Sequence, residues 1–326
     1  MAEADMARFQ ILSLDGGGIR GLYSAAVLAK LEEKYNVKIT DHFDLITGTS
    51  TGGIIAIGLG LRMLPREIVR FYVEAGPKIF SNKWGWRNCC HWWRRKYSEE
   101  PLRQALNHGS AFGDRKLGDS KSRLVIPAFS LAHNKVRVFK TPHHERLRTD
   151  WQIPAWKVAM ATSAAPTFFP ASRHVEDSRL IDGGVWANNP TVVGIAEAVS
   201  MLGCSLDDIR VFSLGTTDAK VKRRQALDGG GLLQWIRKKD VIDILMRGQS
   251  EGTNGLAAHL IGPSNVKRID PIVPEAFGLD QINERDLLAE AEQTALQEGP
   301  AIAAQFFDHH AALFKPLHPT NTENQK

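Results

Sequence analysis

The pentapeptide Gly48-Thr49-Ser50-Thr51-Gly52 constrains this chain more than any other stretch of it. It follows the apolar run Phe43-Asp44-Leu45-Ile46-Thr47 and precedes Gly53-Ile54-Ile55-Ala56-Ile57-Gly58-Leu59. A strand, then G-x-S-x-G, then a helix is the setting of a nucleophile elbow, where a serine sits on a sharp, strained turn. Gly48 and Gly52 keep side chains out of the crowded bend. The helix that follows turns its amino end, with free N–H groups and positive dipole, towards the reacting centre. Read alone, the pentapeptide is also a plain strand-to-helix turn; its flanks favour the elbow.

A second glycine cluster has the same build. Arg8 to Leu14 reads as a buried strand, Asp15-Gly16-Gly17-Gly18-Ile19-Arg20-Gly21 follows directly, and Leu22, Ala25, Ala26, Leu28, Ala29 and Leu31 recur at helical spacing. A glycine loop entering a helix presents several backbone N–H groups to an anion. Here the anion fits the oxyanion of an acyl-transfer intermediate, with Gly16, Gly17 and Gly18 as donors and Arg20 adding positive charge. Gly16, Gly18 and Gly21 also satisfy G-x-G-x-x-G, with Asp41 about 20 residues on. A dinucleotide fold needs that acidic residue at the end of its second strand, whereas Asp41 precedes the strand leading into the serine turn. The cofactor reading is the weaker one, and none is expected.

The third element is Ser178-Arg179-Leu180-Ile181-Asp182-Gly183-Gly184. A nucleophilic serine needs a base, usually histidine. His42 precedes the elbow strand, His133, His143 and His144 sit in a polar loop, and His174, His259, His309, His310 and His318 have no flanking motif. A carboxylate held against the hydroxyl away from water becomes more basic and can replace it. Asp182 is the best candidate, although a turn-forming Asp-Gly is common.

These three motifs, in this order, resemble the signatures of patatin-like phospholipases. Ala161-Thr162-Ser163-Ala164-Ala165-Pro166, Asn188-Asn189-Pro190 and Ser213-Leu214-Gly215-Thr216 are also similar to phrases of that family. The resemblance spans about Arg8 to Gly215. It implies a three-layer α/β/α fold with a central, mostly parallel sheet. It also implies a Ser50–Asp182 dyad, an oxyanion hole at Gly16–Gly18, and hydrolysis of glycerolipid acyl esters without a metal. The pattern further resembles bacterial patatin-type effectors of anti-phage defence, which respond to cyclic dinucleotides. The alternative is a non-hydrolytic module of the same fold that senses a nucleotide or lipid; an intact nucleophile, base and oxyanion loop favour the enzyme.

No linker rich in Pro, Gly or Ser divides the 326 residues, so one domain over 1–315 is expected, with a variable insertion at about 80–120 and a polar tail at 316–326. Helices alternating with apolar strands predict a parallel or mixed sheet covered on both faces. The longest apolar stretch, Gly53 to Leu61, is about half a membrane span. The acidic amino terminus and three cysteines point to a cytoplasmic protein. Cys89-Cys90-His91 lacks a second ligand pair for a metal.

The net charge of +5 is mild but uneven. Trp84 to Tyr97 combines tryptophans with cations, which suits peripheral contact with a membrane, or a packed insertion. No module for a nucleic-acid polymer accompanies it. Lys220, Lys222, Arg223 and Arg224 form a basic run that reads as a solvated loop or a dock for an anionic ligand. Arg223, Arg224, Trp235, Arg237 and Lys238 are candidates for an activator pocket, in which cations pair with phosphates and aromatics stack on bases.

Overall fold

Strand β1 (Phe9–Leu14) is buried along almost its whole length, the polar Gln10 and Ser13 included. Ile11 packs into one hydrophobic cluster while Leu12 and Leu14 pack into another, so successive side chains serve opposite faces of the sheet. The computed structural model describes residues 8–81, 96–219, 240–273 and 283–318. Within them the central sheet has seven strands: β1, β2 (Leu45–Gly48), β3 (Arg123–Ser130), β4 (Lys135–Lys140), β5 (Leu180–Asp182), β6 (Ile209–Leu214) and β8 (Val266–Ile269). The order is β4-β3-β2-β1-β6-β8, and β5 pairs with β3. All pairings among β3, β2, β1, β6 and β8 are parallel; β4 and β5 run antiparallel to β3. Two short strands, β7 (Asp218–Ala219) and β9 (Ile272–Val273), pair separately.

Helices cover both faces, completing the three layers. On one face lie α1 (Gly21–Tyr35), α2 (Thr51–Gly60), α3 (Pro65–Ile79), α4 (Glu100–Asn107) and α5 (Ala155–Thr162), joined by α9 (Glu284–Gln297) and α10 (Gly299–Phe306). The short α6 (Gly184–Ala187) follows β5, and on the other face lie α7 (Thr191–Leu202) and α8 (Asp240–Ile261), whose Ile195, Ala198, Ala257 and Ile261 pack with Ile11, Leu45 and Val211. Helix α2 is buried on every side, which is why it is apolar all round. Among the described residues no helix is long and apolar enough to cross a membrane.

The chain builds β1, β2 and β3 outward in one direction and then returns to add β6 and β8 on the far side of β1. Such a reversal opens a crevice beyond the carboxyl ends of the strands. The glycine loop leaves the end of β1 and the serine turn leaves the end of β2, two neighbouring strands of that edge.

Several expectations need adjustment. Within the segment from 80 to 120, α4 buries Leu102 and Leu106 in the main core. The polar tail begins within packed structure: the Leu317 N–H donates to the Pro142 carbonyl at 2.9 Å, and His318 stacks on Trp151. Asp41 sits in a turn before β2 and pairs with Arg62, away from the glycine loop, so the dinucleotide pattern has no structural counterpart. Residues 84–95 of the tryptophan-rich segment, including Cys89-Cys90-His91, lie outside the described residues, as do Lys220, Lys222, Arg223, Arg224, Trp235, Arg237 and Lys238.

Candidate active site

Ser50 lies between β2 and α2 with φ 55° and ψ −122°, a conformation that L-residues rarely adopt. Holding a non-glycine residue there costs on the order of 1–3 kcal/mol and persists only where the surroundings impose it. They do so here. The Ser50 N–H donates to Thr162 Oγ1 at 2.9 Å, and that hydroxyl donates to the Pro127 carbonyl at 2.6 Å. A Cβ at Gly52 would stand 2.2 Å from the Leu14 carbonyl oxygen, so this position closes β1 against the elbow only as glycine. Thr162 belongs to the Ala-Thr-Ser phrase noticed in the sequence; its role depends on which strand end α5 meets, and no local pattern announces it.

Asp182 ends β5, opposite Ala128 of β3, and is 3% exposed. Its backbone N–H donates to the Ala164 carbonyl at 3.1 Å, and its Oδ1 accepts the Gly184 N–H at 2.7 Å. The Ser50 hydroxyl lies near enough to this carboxylate to pull its pKa down. Burial pushes the Asp182 carboxyl up to about 6, against the opposing pull of the Ser50 and Gly184 hydrogen bonds. The group is therefore ionised at neutral pH yet more basic than an ordinary aspartate, as a proton acceptor should be. Among the described residues no histidine lines the cavity around Ser50. His42, His143 and His309 are engaged elsewhere, with the His309 carbonyl, Glu197 and Asp44 respectively.

That cavity has a volume of about 270 Å³. Its polar end carries Gly17, Gly18, Ser50 and Asp182; the rest is walled by Ile54, Phe71, Ile79, Leu102, Phe168 and Phe169. The aromatic side of the wall is a packed cluster in which Phe80 meets Tyr97 edge-on at 5.6 Å and Phe169 at 6.1 Å. Ser163 also lines the cavity, and its buried hydroxyl has no partner among the described residues. At the rim, Val185 and Leu245 are 39% and 59% exposed.

The glycine loop divides its labour more sharply than the sequence predicts. The Gly16 N–H, expected as an oxyanion donor, is already spent on the Asn188 carbonyl at 3.0 Å. The N–H groups of Gly17 and Gly18 have no acceptor among the described residues, and both glycines line the cavity beside Ser50. Gly18 has φ 60°, a left-handed conformation suited to glycine. Arg20, expected to add charge at the oxyanion, faces the other way. Its Nε donates to the Gly17 carbonyl at 3.3 Å and its Nη1 to the Thr217 carbonyl at 3.0 Å. In a loop whose amides face the cavity the carbonyls point back, and a cation follows the carbonyls. Behind the loop Arg20 joins Asp15, Asn188, Thr217, Arg247 and Asp270 around a second, polar cavity of about 50 Å³.

A serine hydroxyl beside a basic carboxylate, two amides without an acceptor among the described residues and an apolar slot suit attack on a carboxylic ester carrying a hydrocarbon chain. Comparison with known proteins agrees. Residues 12–195 match the family described as patatin-like phospholipase. A cGAMP-activated phospholipase of Pseudomonas aeruginosa is 32% identical over 271 residues, covering 82% of this chain and 80% of the relative. Proteins of the same description from Escherichia coli and Vibrio cholerae are 34% and 36% identical, over 66% and 64% of this chain and 64% of each relative. The elbow, the glycine loop and the Asp-Gly-Gly turn all fall inside the matched stretch, and the chain belongs to the patatin-like phospholipases, a family of lipid acyl hydrolases.

Proposed function

We propose that this protein cleaves acyl esters of membrane glycerophospholipids through a Ser50–Asp182 dyad, and that a cyclic dinucleotide switches it on. The observation that carries the dyad is a serine held at φ 55° beside a buried carboxylate, both at the polar end of an apolar slot. Asp182 takes the Ser50 hydroxyl proton as Oγ attacks the ester carbonyl. The carbonyl oxygen becomes an oxyanion and accepts the Gly17 and Gly18 N–H groups, whose hydrogen bonds strengthen as charge develops. Collapse expels the lysolipid alkoxide, which receives the proton from Asp182. Water, activated by the same carboxylate, then attacks the acyl-serine and releases a fatty acid. Each step uses only groups of the chain and water.

The apolar slot supports a hydrocarbon acyl group, and the exposed Val185 and Leu245 at its rim support peripheral contact with the inner face of the membrane. The activator rests on the similarity to three proteins described as cGAMP-activated. A thousandfold activation requires the ligand to prefer the active state by about 4 kcal/mol.

The test is to incubate the purified protein with mixed phospholipid vesicles, with and without cGAMP, and to follow lysolipid and free fatty acid by mass. Release that needs both cGAMP and Ser50 is expected. Equal release without nucleotide would remove the activator from this reading. Hydrolysis of short esters with none of phospholipids would overturn the substrate.

A further inference from the structure

Gly17 and Gly18 line the slot with N–H groups that have no acceptor among the described residues, and a tie on their loop comes from far along the chain. Arg268 stands on β8, outside the stretch that matches the family. Its guanidinium grips Asp15 with both arms, Nη1 to Oδ1 at 2.9 Å and Nη2 to Oδ2 at 2.7 Å. Nη1 also donates to Ser213 Oγ at 2.9 Å and Nη2 to Asp270 Oδ2 at 2.7 Å. Asp15 is 3% exposed and directly precedes Gly16.

Sheet register explains the reach. Ser13 of β1 pairs with Ser213 of β6, and Ser213 pairs with Arg268 of β8. The side chain therefore crosses beneath β6 to the first residue after β1, about two strand spacings or ~10 Å away. A forked guanidinium covers that distance and binds the carboxylate at two points; a lysine ammonium is a point charge. Burial of Arg268 pulls its pKa down, but the charges and hydrogen bonds of Asp15 and Asp270 together outweigh it and the net shift is upward, so it stays charged.

We propose that Arg268 is a positioning residue for acyl transfer: through Asp15 it fixes the direction of the Gly17 and Gly18 amides. It touches neither Ser50 nor the slot. Its effect belongs to the transition state, when the oxyanion has formed, and not to ground-state binding of the acyl chain. The inference rests on the dyad reading above, and the test separates the two.

Arg268→Lys and Asp15→Asn are prepared beside wild type and Ser50→Ala, all assayed with cGAMP present. Reaction to completion with a fluorophosphonate counts reactive sites, and kcat and KM for a short soluble ester are then expressed per titrated site. Affinity for a trifluoromethyl ketone, which forms a tetrahedral oxyanion on serine, is measured in parallel. The expected loss in kcat per site for Arg268→Lys is about 100-fold, the scale of one lost oxyanion donor. KM should change less than threefold, and ketone affinity should fall in proportion to kcat/KM. A purely structural residue would instead lower the number of titratable sites and the melting temperature while leaving kcat per site within threefold of wild type; that result overturns the proposal. If Arg268→Lys does not fold, Asp15→Asn decides by the same criteria. A wild type that the fluorophosphonate fails to label at Ser50 would defeat the dyad reading itself.

Discussion

The glycine loop is a wall between two cavities of opposite character, and the contrast explains how a short backbone segment can be both exposed and rigid. On one side lies the apolar slot of about 270 Å³ with Ser50 and Asp182 at its end; on the other lies a polar cavity of about 50 Å³ with Asp15, Arg20, Arg247 and Asp270. On the proposed mechanism the slot supplies two amides that have no acceptor among the described residues, and an apolar environment. The polar side supplies no reacting group, yet it binds the loop through Asp15, the Gly17 carbonyl and the Gly16 carbonyl, which accepts from Thr216 Oγ1 at 3.3 Å. Donors aimed at a developing charge are effective only when they need no reorganisation. A loop bonded on both faces could not bind substrate, and one bonded on neither could not hold its amides. The division therefore predicts that changes in the slot act on chemistry or chain selectivity, and changes behind the loop act on rate alone.

The largest expected effect is at the proposed nucleophile. Ser50→Ala should lower turnover on the order of 10⁶-fold, as loss of a serine nucleophile does elsewhere. Ser50→Gly should be equally inactive but more stable than Ser50→Ala, because glycine accepts positive φ freely. Equal melting temperatures for the two would show that the elbow stores no strain.

Asp182→Asn should lower turnover ~10³–10⁴-fold, the upper range for general-base catalysis. It should also stabilise the fold. The carboxyl rises from 3.8 to about 6 on folding, so the folded state holds the proton more tightly than the unfolded chain. Stability at this site is greatest below 3.8 and declines as pH rises to about 6, a loss on the order of 2–3 kcal/mol at neutral pH that an uncharged amide avoids. A melting temperature below wild type at pH 7 would contradict the burial argument. By the same shift, wild-type activity should fall on the acid side with a midpoint near pH 6, since only ionised Asp182 accepts the serine proton.

Two smaller substitutions set the cavities against each other. Ile79→Phe fills the slot and should raise KM for long-chain esters about tenfold while sparing short ones, roughly the worth of one or two methylenes in an apolar pocket. Arg20→Met removes the tether on the Gly17 carbonyl and should lower kcat about tenfold for every chain length, since misplacing a catalytic group by a fraction of an ångström is enough. Comparison of kcat and KM across a series of nitrophenyl esters reads both. A chain-length dependence for Arg20→Met would break the division between the two sides.

The sequence alone determined what is local. A serine between glycines after an apolar strand must turn sharply, three consecutive glycines before a helix must expose amides, and an aspartate before two glycines ends a strand. Those properties arise within five to seven residues, so Ser50, Asp182 and the glycine loop were legible before any fold was known, and so was the alternation of strands and helices. Tertiary structure decided which of those groups keep a free side towards the slot and which are tied elsewhere. Gly16 loses its amide to Asn188, Arg20 turns to the carbonyl side, and Thr162 and Arg268 acquire partners 112 and 253 residues away. The slot, likewise, joins α3, α4 and Phe168-Phe169, which no spacing along the chain brings together. The physical reason is that a hydrogen bond or an ion pair depends on which strands end side by side. The order β3-β2-β1-β6-β8 is set by packing of the whole core, whereas a motif records only its own backbone.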